Sequence, residues 1–227
     1  MKKETSNLNK LISIAVLIIA LLFSLYKYGK TALNLIDLDG LFKTKISDKE
    51  ISELIEDVEV KEDQNVSYNR EDWTSSTQSY FYKGQHFTSI RAYAFYASIY
   101  YDDKNNVYLD PYSGEKHKNI DNIDYDHIIP LSYVNRHNGH SWGNEKKRNF
   151  ADDPNVGVNV NSHDNRIKSD KGPASWLPKE NKDDYCYTWL VIADKYNISI
   201  SPTDMKVIKK ELKNKSIEDV KIINEYK

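Results

Sequence analysis

Asp126 and His127 stand side by side, and Ile128-Ile129-Pro130-Leu131 follows at once. An imidazole titrates near neutral pH and can take a proton from water. A carboxylate is a hard oxygen donor, suited to Mg²⁺ or Ca²⁺. An adjacent Asp and His on a surface need no function, so the case rests on what surrounds them. A later run, Asn165-Arg166-Ile167-Lys168, adds an amide and two cations.

Neighbouring residues of a strand point to opposite faces, but a strand end or bulge can aim both groups into one cleft. Val156, Val158 and Val160 alternate with Gly157, Asn159 and Asn161, the period of a half-buried strand. Ser162 or Asp164 then offers an N-cap for a short helix carrying Asn165, Arg166 and Lys168. The order is strand with Asp-His, connector, strand, helix. That is a ββα hairpin able to hold a small metal site between strand and helix.

These residues resemble the HNH (His-Asn-His, ββα-metal) endonucleases. Asp126-His127-Ile128-Ile129-Pro130 resembles the first half of that motif. Asn165-Arg166-Ile167-Lys168-Ser169-Asp170 resembles its second half, and the Asn-Arg-Gly-Lys-Ser-Asp run of CRISPR effector nucleases. The bacterial secreted branch is similar over more of the chain. Asp110-Pro111-Tyr112-Ser113-Gly114 resembles its Asp-Pro-Tyr-Thr-Gly box. Lys171-Gly172-Pro173-Ala174-Ser175-Trp176-Leu177-Pro178 resembles its Asp-Pro-Ala-Glu-Trp-Leu-Pro box, and Tyr187 through Leu212 its closing helical pair.

The resemblance implies an α+β fold, a ββα-metal core with surrounding helices. It implies one divalent ion, Mg²⁺ most simply or Mn²⁺ or Ca²⁺, held by Asp126 and Asn165, and no small-molecule cofactor. His127 is the implied general base. Arg166 and Lys168 are expected to face substrate phosphate, with Lys146, Lys147 and Arg148 extending that surface. His163 is read as a phosphate contact or as a solvent-facing strand-end residue. Asn155 is the expected middle Asn, bracing the catalytic loop, with Asn159 and Asn161 as the other candidates. The implied reaction is hydrolysis of DNA, or RNA, with little sequence preference and strong salt sensitivity.

Composition sets limits. The 227 residues carry a formal net charge of −2, so no global basic field advertises nucleic acid. The single cysteine, Cys186, rules out an intrachain disulfide and a Cys-based zinc site. Cys186 reads as a small core residue of a buried helix. His137 and His140 have a spacing that could suggest zinc, without supporting ligands. Asp110 reads as a turn cap. A tyrosine-lined helix is expected over 88–101, with others over 143–150, 181–196 and from Ser201 through Leu212.

At the N-terminus, residues 1–10 read as a cytoplasmic segment and 11–26 as an apolar membrane anchor flanked by lysines. An uncleaved signal anchor is favoured over a cleaved, secreted form. Residues 27–63 read as a charged helical stalk and 64–227 as the nuclease domain, outside the cytoplasm. The alternatives are an inactive HNH fold serving as a membrane-tethered nucleic-acid or protein binding module, and a structural surface protein.

Overall fold

A computed structural model describes residues 50–74 and 79–227. The expected anchor over 11–26, and the stalk up to residue 49, lie outside the described residues. No helix among the described residues is long and apolar enough to cross a membrane.

Helix α1 (Ile51–Asp57) is followed by a 3₁₀ turn (Arg70–Trp73), the hairpin β1 (Tyr80–Tyr82) and β2 (Gln85–Phe87), and helix α2 (Ile90–Ala97). Strands β3 (Tyr101–Asp102), β4 (Val107–Leu109) and β5 (Lys116–His117) form a small antiparallel sheet. Then come β6 (Ile123–His127), α3 (Leu131–Arg136), α4 (Asn144–Ala151), β7 (Gly157–Asn161) and α5 (Ser162–Lys168). Helices α6 (Lys182–Tyr196) and α7 (Pro202–Glu211) complete a mixed α+β unit with small sheets.

Helix α6 is the structural axis. Tyr185, Cys186, Tyr187, Trp189 and Leu190 are all buried, because a helix apolar on every side has to be enclosed. Burial pushes the Cys186 thiol up to about 12, so it is an inert core group. Helix α7 starts on Ser201, whose hydroxyl accepts from the Asp204 backbone N–H at 3.1 Å, with Pro202 in the first turn.

The folded unit begins earlier than the expected boundary at residue 64. Ile51 and Leu54 of α1 are buried and α1 packs on α6. Lys61 N–H donates to Ile200 O at 3.0 Å, and Ile200 N–H to Glu59 O at 2.9 Å. Residues 50–63 are therefore part of the domain rather than stalk. Their charges line the solvent side, which is what made the segment look like a free helix.

Strands β6 and β7 pair antiparallel, with Asp126 opposite Val158 and His127 opposite Gly157. The strand is not half-buried as expected: Val158, Asn159 and Val160 are all enclosed. Helix α2 packs on both strands, and Asn159 Nδ2 donates to Arg91 O at 2.8 Å. Tyr108 OH donates to the Asn159 carbonyl at 2.7 Å. The polar alternation thus reflects bonds to neighbouring elements, not water.

The last residues close over this hairpin. Ser98 and Tyr226 form an antiparallel bridge, and Lys227 N–H donates to Ala97 O at 2.7 Å. Tyr226 OH donates to Gly157 O at 2.9 Å.

Candidate functional site

The Asp110-Pro111-Tyr112-Ser113-Gly114 box is a turn that aims Tyr112 at Asp126. Asp110 is fully buried; its carboxylate accepts from Tyr112 N–H at 2.8 Å, Ser113 Oγ at 2.9 Å and Asn161 N–H at 2.9 Å. The turn is thereby locked to the end of β7. Gly114 completes it at φ 74°, a left-handed conformation that glycine adopts without strain. Tyr112 OH then donates to Asp126 Oδ2 at 2.8 Å.

The other Asp126 oxygen takes an ammonium. Lys168 Nζ donates to Asp126 Oδ1 and to the His127 carbonyl, both at 2.9 Å. Lys168 is wholly buried at the end of α5. This corrects the expectation that it faces substrate phosphate. A four-carbon stem reaching inward covers apolar surface while its head finds a carboxylate, and the exposed-helix pattern cannot reveal that. Burial pulls the Asp126 carboxyl up against the opposing pull of Lys168, and burial likewise pulls the Lys168 ammonium down. Desolvation thus outweighs the attraction on both sides.

His127 turns to different partners. Its Nε2 lies 2.8 Å from the Ala151 carbonyl, at the end of α4. A carbonyl only accepts, so Nε2 carries the proton and Nδ1 keeps its lone pair. Among the described residues Nδ1 makes no hydrogen bond. The ring packs edge-on to Tyr125, with centroids 5.4 Å apart. Burial pushes the imidazole down to about 4, and the cations Arg70 and Lys168 add to that. Strand alternation is therefore kept: the Asp126 and His127 side chains meet separate neighbours, joined only through Lys168.

Gly157, opposite His127, is sterically required. A Cβ there would lie 2.5 Å from the Tyr125 ring and 2.6 Å from the Asp126 carbonyl. We expect Gly157→Ala to cost about 1–3 kcal/mol in urea unfolding, because backbone and an anchored ring must both move. The Tyr125 ring is anchored because its hydroxyl donates to Asp153 O at 3.0 Å.

Helix α5 is capped by Asn161, whose side chain accepts from His163 N–H at 2.8 Å. Neither Ser162 nor Asp164 holds that position. Asn165 is half-buried, and its amide has no hydrogen-bond partner among the described residues. Arg166 and His163 are exposed. In α4, Lys147 is buried with its Nζ 3.4 Å from Asp72 and over the Trp73 ring, so it is no free phosphate contact. Lys146 lies over Trp142, and Arg148 is half-buried. Asn155 is exposed and its amide donates to Asp153 Oδ1 at 2.7 Å. Buried Asn159, not Asn155, braces the hairpin.

His137 is fully buried, stacked on Tyr133 at 4.1 Å and placed between Ser199 Oγ at 3.3 Å and Asp63 Oδ1 at 2.9 Å. The chain Ser199-His137-Asp63 has the atoms of a hydrolase triad, but Ser199 is completely enclosed and no acyl substrate can reach it. His137 is thus a core residue. No cluster of three or more His, Cys, Asp or Glu among the described residues could hold a metal ion.

The Lys171–Pro178 box supports this arrangement from below. Ala174 N–H donates to Asp204 Oδ1 at 2.7 Å, and Tyr133 OH to Asp204 Oδ2 at 2.8 Å. Trp176 packs on Tyr112 at 5.2 Å. Sequence reasoning gave no role to Arg70, Tyr112 or Ala151, which shape the surroundings of the Asp-His pair. Tyr112 lay within a quoted box, whereas a backbone carbonyl has no sequence signal.

No protein-family model matches the chain, and no solved structure matches it. The chain is 26% identical over 106 residues to a curated protein of Arthroderma benhamiae described as "Uncharacterized secreted protein". That match covers 44% of this chain, and the chain spans about half the length of the relative, 52%.

Proposed function

We propose that the protein is a metal-dependent endonuclease of the HNH, ββα-metal kind, hydrolysing phosphodiester bonds of nucleic acid outside the cytoplasm. The observation that carries this reading is the fixed His127 tautomer. Nε2 is spent on the Ala151 carbonyl, so Nδ1 is the free base of a rigid strand. The β6–β7 pair followed by α5 supplies the strand, strand and helix that the motif requires. The word "secreted" in the relative's name accords with the location.

The donor set fits a magnesium ion in kind. Asp126 offers a carboxylate whose oxygens each accept one hydrogen bond, from Lys168 and Tyr112. Asn165 offers an amide oxygen with no other partner among the described residues. Two protein oxygens are a normal number for Mg²⁺, which keeps several waters. When bound, the ion supplies charge neutralisation at the phosphate. The protein's own part is to hold a base. Nδ1 of His127 takes a proton from a water, the water oxygen attacks phosphorus, and the bond to the leaving oxygen breaks. Tyr112 and Lys168 fix the Asp126 carboxylate, while Tyr125 and Ala151 fix the ring.

One observation favours a second reading, a binding module on the same fold. The Asp126 carboxylate is already neutralised by a buried ammonium, which lowers its need for a metal. Digestion of single- and double-stranded DNA and of RNA, with Mg²⁺ and then with EDTA, separates the two. The nuclease reading expects metal-dependent fragments that His127→Ala does not produce. Intact substrates across Mg²⁺, Mn²⁺ and Ca²⁺ leave the binding module.

A further inference from the structure

We propose that Arg70 is the phosphate clamp of this site: its guanidinium takes the non-bridging oxygens of the scissile phosphodiester and holds the phosphorus before His127 Nδ1. The inference deepens the nuclease reading and rests on it.

Arg70 opens the 3₁₀ turn Arg70–Trp73, capped by Asn69, whose side chain accepts from Glu71 N–H at 3.1 Å. The turn is held rigidly. Trp73 is buried, with its ring centroid 6.2 Å from that of Phe150, and Asp72 is paired with Lys147 of α4. Phe150 immediately precedes Ala151, whose carbonyl fixes His127. Arg70 and the imidazole are therefore mounted on the two sides of the same helix end.

The guanidinium itself is free. Arg70 is exposed and has no side-chain hydrogen bond or ion pair among the described residues. Asp72, the acid two residues on, is occupied by Asn69 and Lys147. Other cations are less suited. Lys168 is tied to Asp126 and Lys147 to Asp72, while Arg166 and Arg148 are not among the charges that bear on His127. The charges that do bear on it are Arg70 and Lys168, both positive. A neutral imidazole flanked only by cations is a local anion site inside a chain of net charge −2. A planar fork of donors suits two phosphate oxygens at once, which an ammonium cannot match.

The test uses the full chain as wild type, Arg70→Ala, Arg70→Lys and His127→Ala, with oligonucleotide cleavage in Mg²⁺ and thermal melts in parallel. We expect Arg70→Ala to lose on the order of 100-fold in kcat with an unchanged melting temperature. Arg70→Lys should recover less than about tenfold, because lysine binds phosphate as a point charge. Added guanidinium ion should restore part of the activity of Arg70→Ala and none of that of His127→Ala, a rescue that a structural role cannot produce. An Arg70→Ala variant as active as wild type, or an inactive one with a lowered melting temperature and no rescue, overturns the clamp alone. A wild type that cleaves nothing sinks the nuclease reading and the clamp with it.

Discussion

His127→Ala should remove about 10²- to 10⁴-fold of cleavage activity, the range of a positioned general base, while the fold stays intact. The lost hydrogen bond to Ala151 O is single and the ring is only partly enclosed, so the stability cost is on the order of 1 kcal/mol. The same residue also predicts a pH effect. The folded imidazole is pushed down from 6.5 to about 4, chiefly by burial. Between these values the unfolded chain binds a proton that the folded chain refuses. Stability is therefore at its full value above the unfolded pKa, and falls as the solution is acidified through that window. Thermal melts in EDTA should show wild type losing stability toward pH 4 more steeply than His127→Ala. Parallel curves for the two proteins would mean that the ring is not held neutral by the fold.

Lys168→Met should be the most destabilising single change at the site. It leaves the Asp126 carboxylate buried with only the Tyr112 hydroxyl as donor. Removing one partner of a buried ion pair costs about 3–5 kcal/mol, because the charge left behind has lost its compensation. Asp126→Asn leaves the ammonium in the same position and should cost a similar amount. The double variant Asp126→Asn, Lys168→Met should cost clearly less than the sum of the two, since no isolated charge remains. Urea unfolding of all three measures this directly. A surface lysine that merely touches phosphate would instead leave stability unchanged and flatten the salt dependence of binding. Additive losses would show that the two residues do not depend on each other.

The contrast shows what the sequence could carry. Local chemistry was legible: Ser201-Pro202-Thr203-Asp204 started a helix, Asp110 capped its turn, and the strand, strand and helix came in the order read. These features depend on neighbours within a few residues. What escaped depends on distance. Lys147 and Lys168 looked like solvated cations because nothing in their own helices reveals Asp72 or Asp126. The Ala151 carbonyl could not be foreseen, since its role comes from where α4 ends. Residues 50–63 looked independent because their partners, Ile200 and Arg136, lie far along the chain. The mixed α+β class was readable, whereas the placement of the site's cations was not.

The closing contacts of the last residues bear on when the protein becomes competent. Gly157, whose carbonyl takes the Tyr226 hydroxyl, pairs with His127 in the hairpin. A chain made from its N-terminus reaches residue 226 last among these partners, long after β6 has emerged. Pairings so distant in sequence form late, because loop closure precedes any reward. A partly synthesised chain thus carries Asp126 and His127 without the frame that aligns them. If the protein cleaves phosphodiesters indiscriminately, that order of assembly keeps it harmless beside the messenger that encodes it.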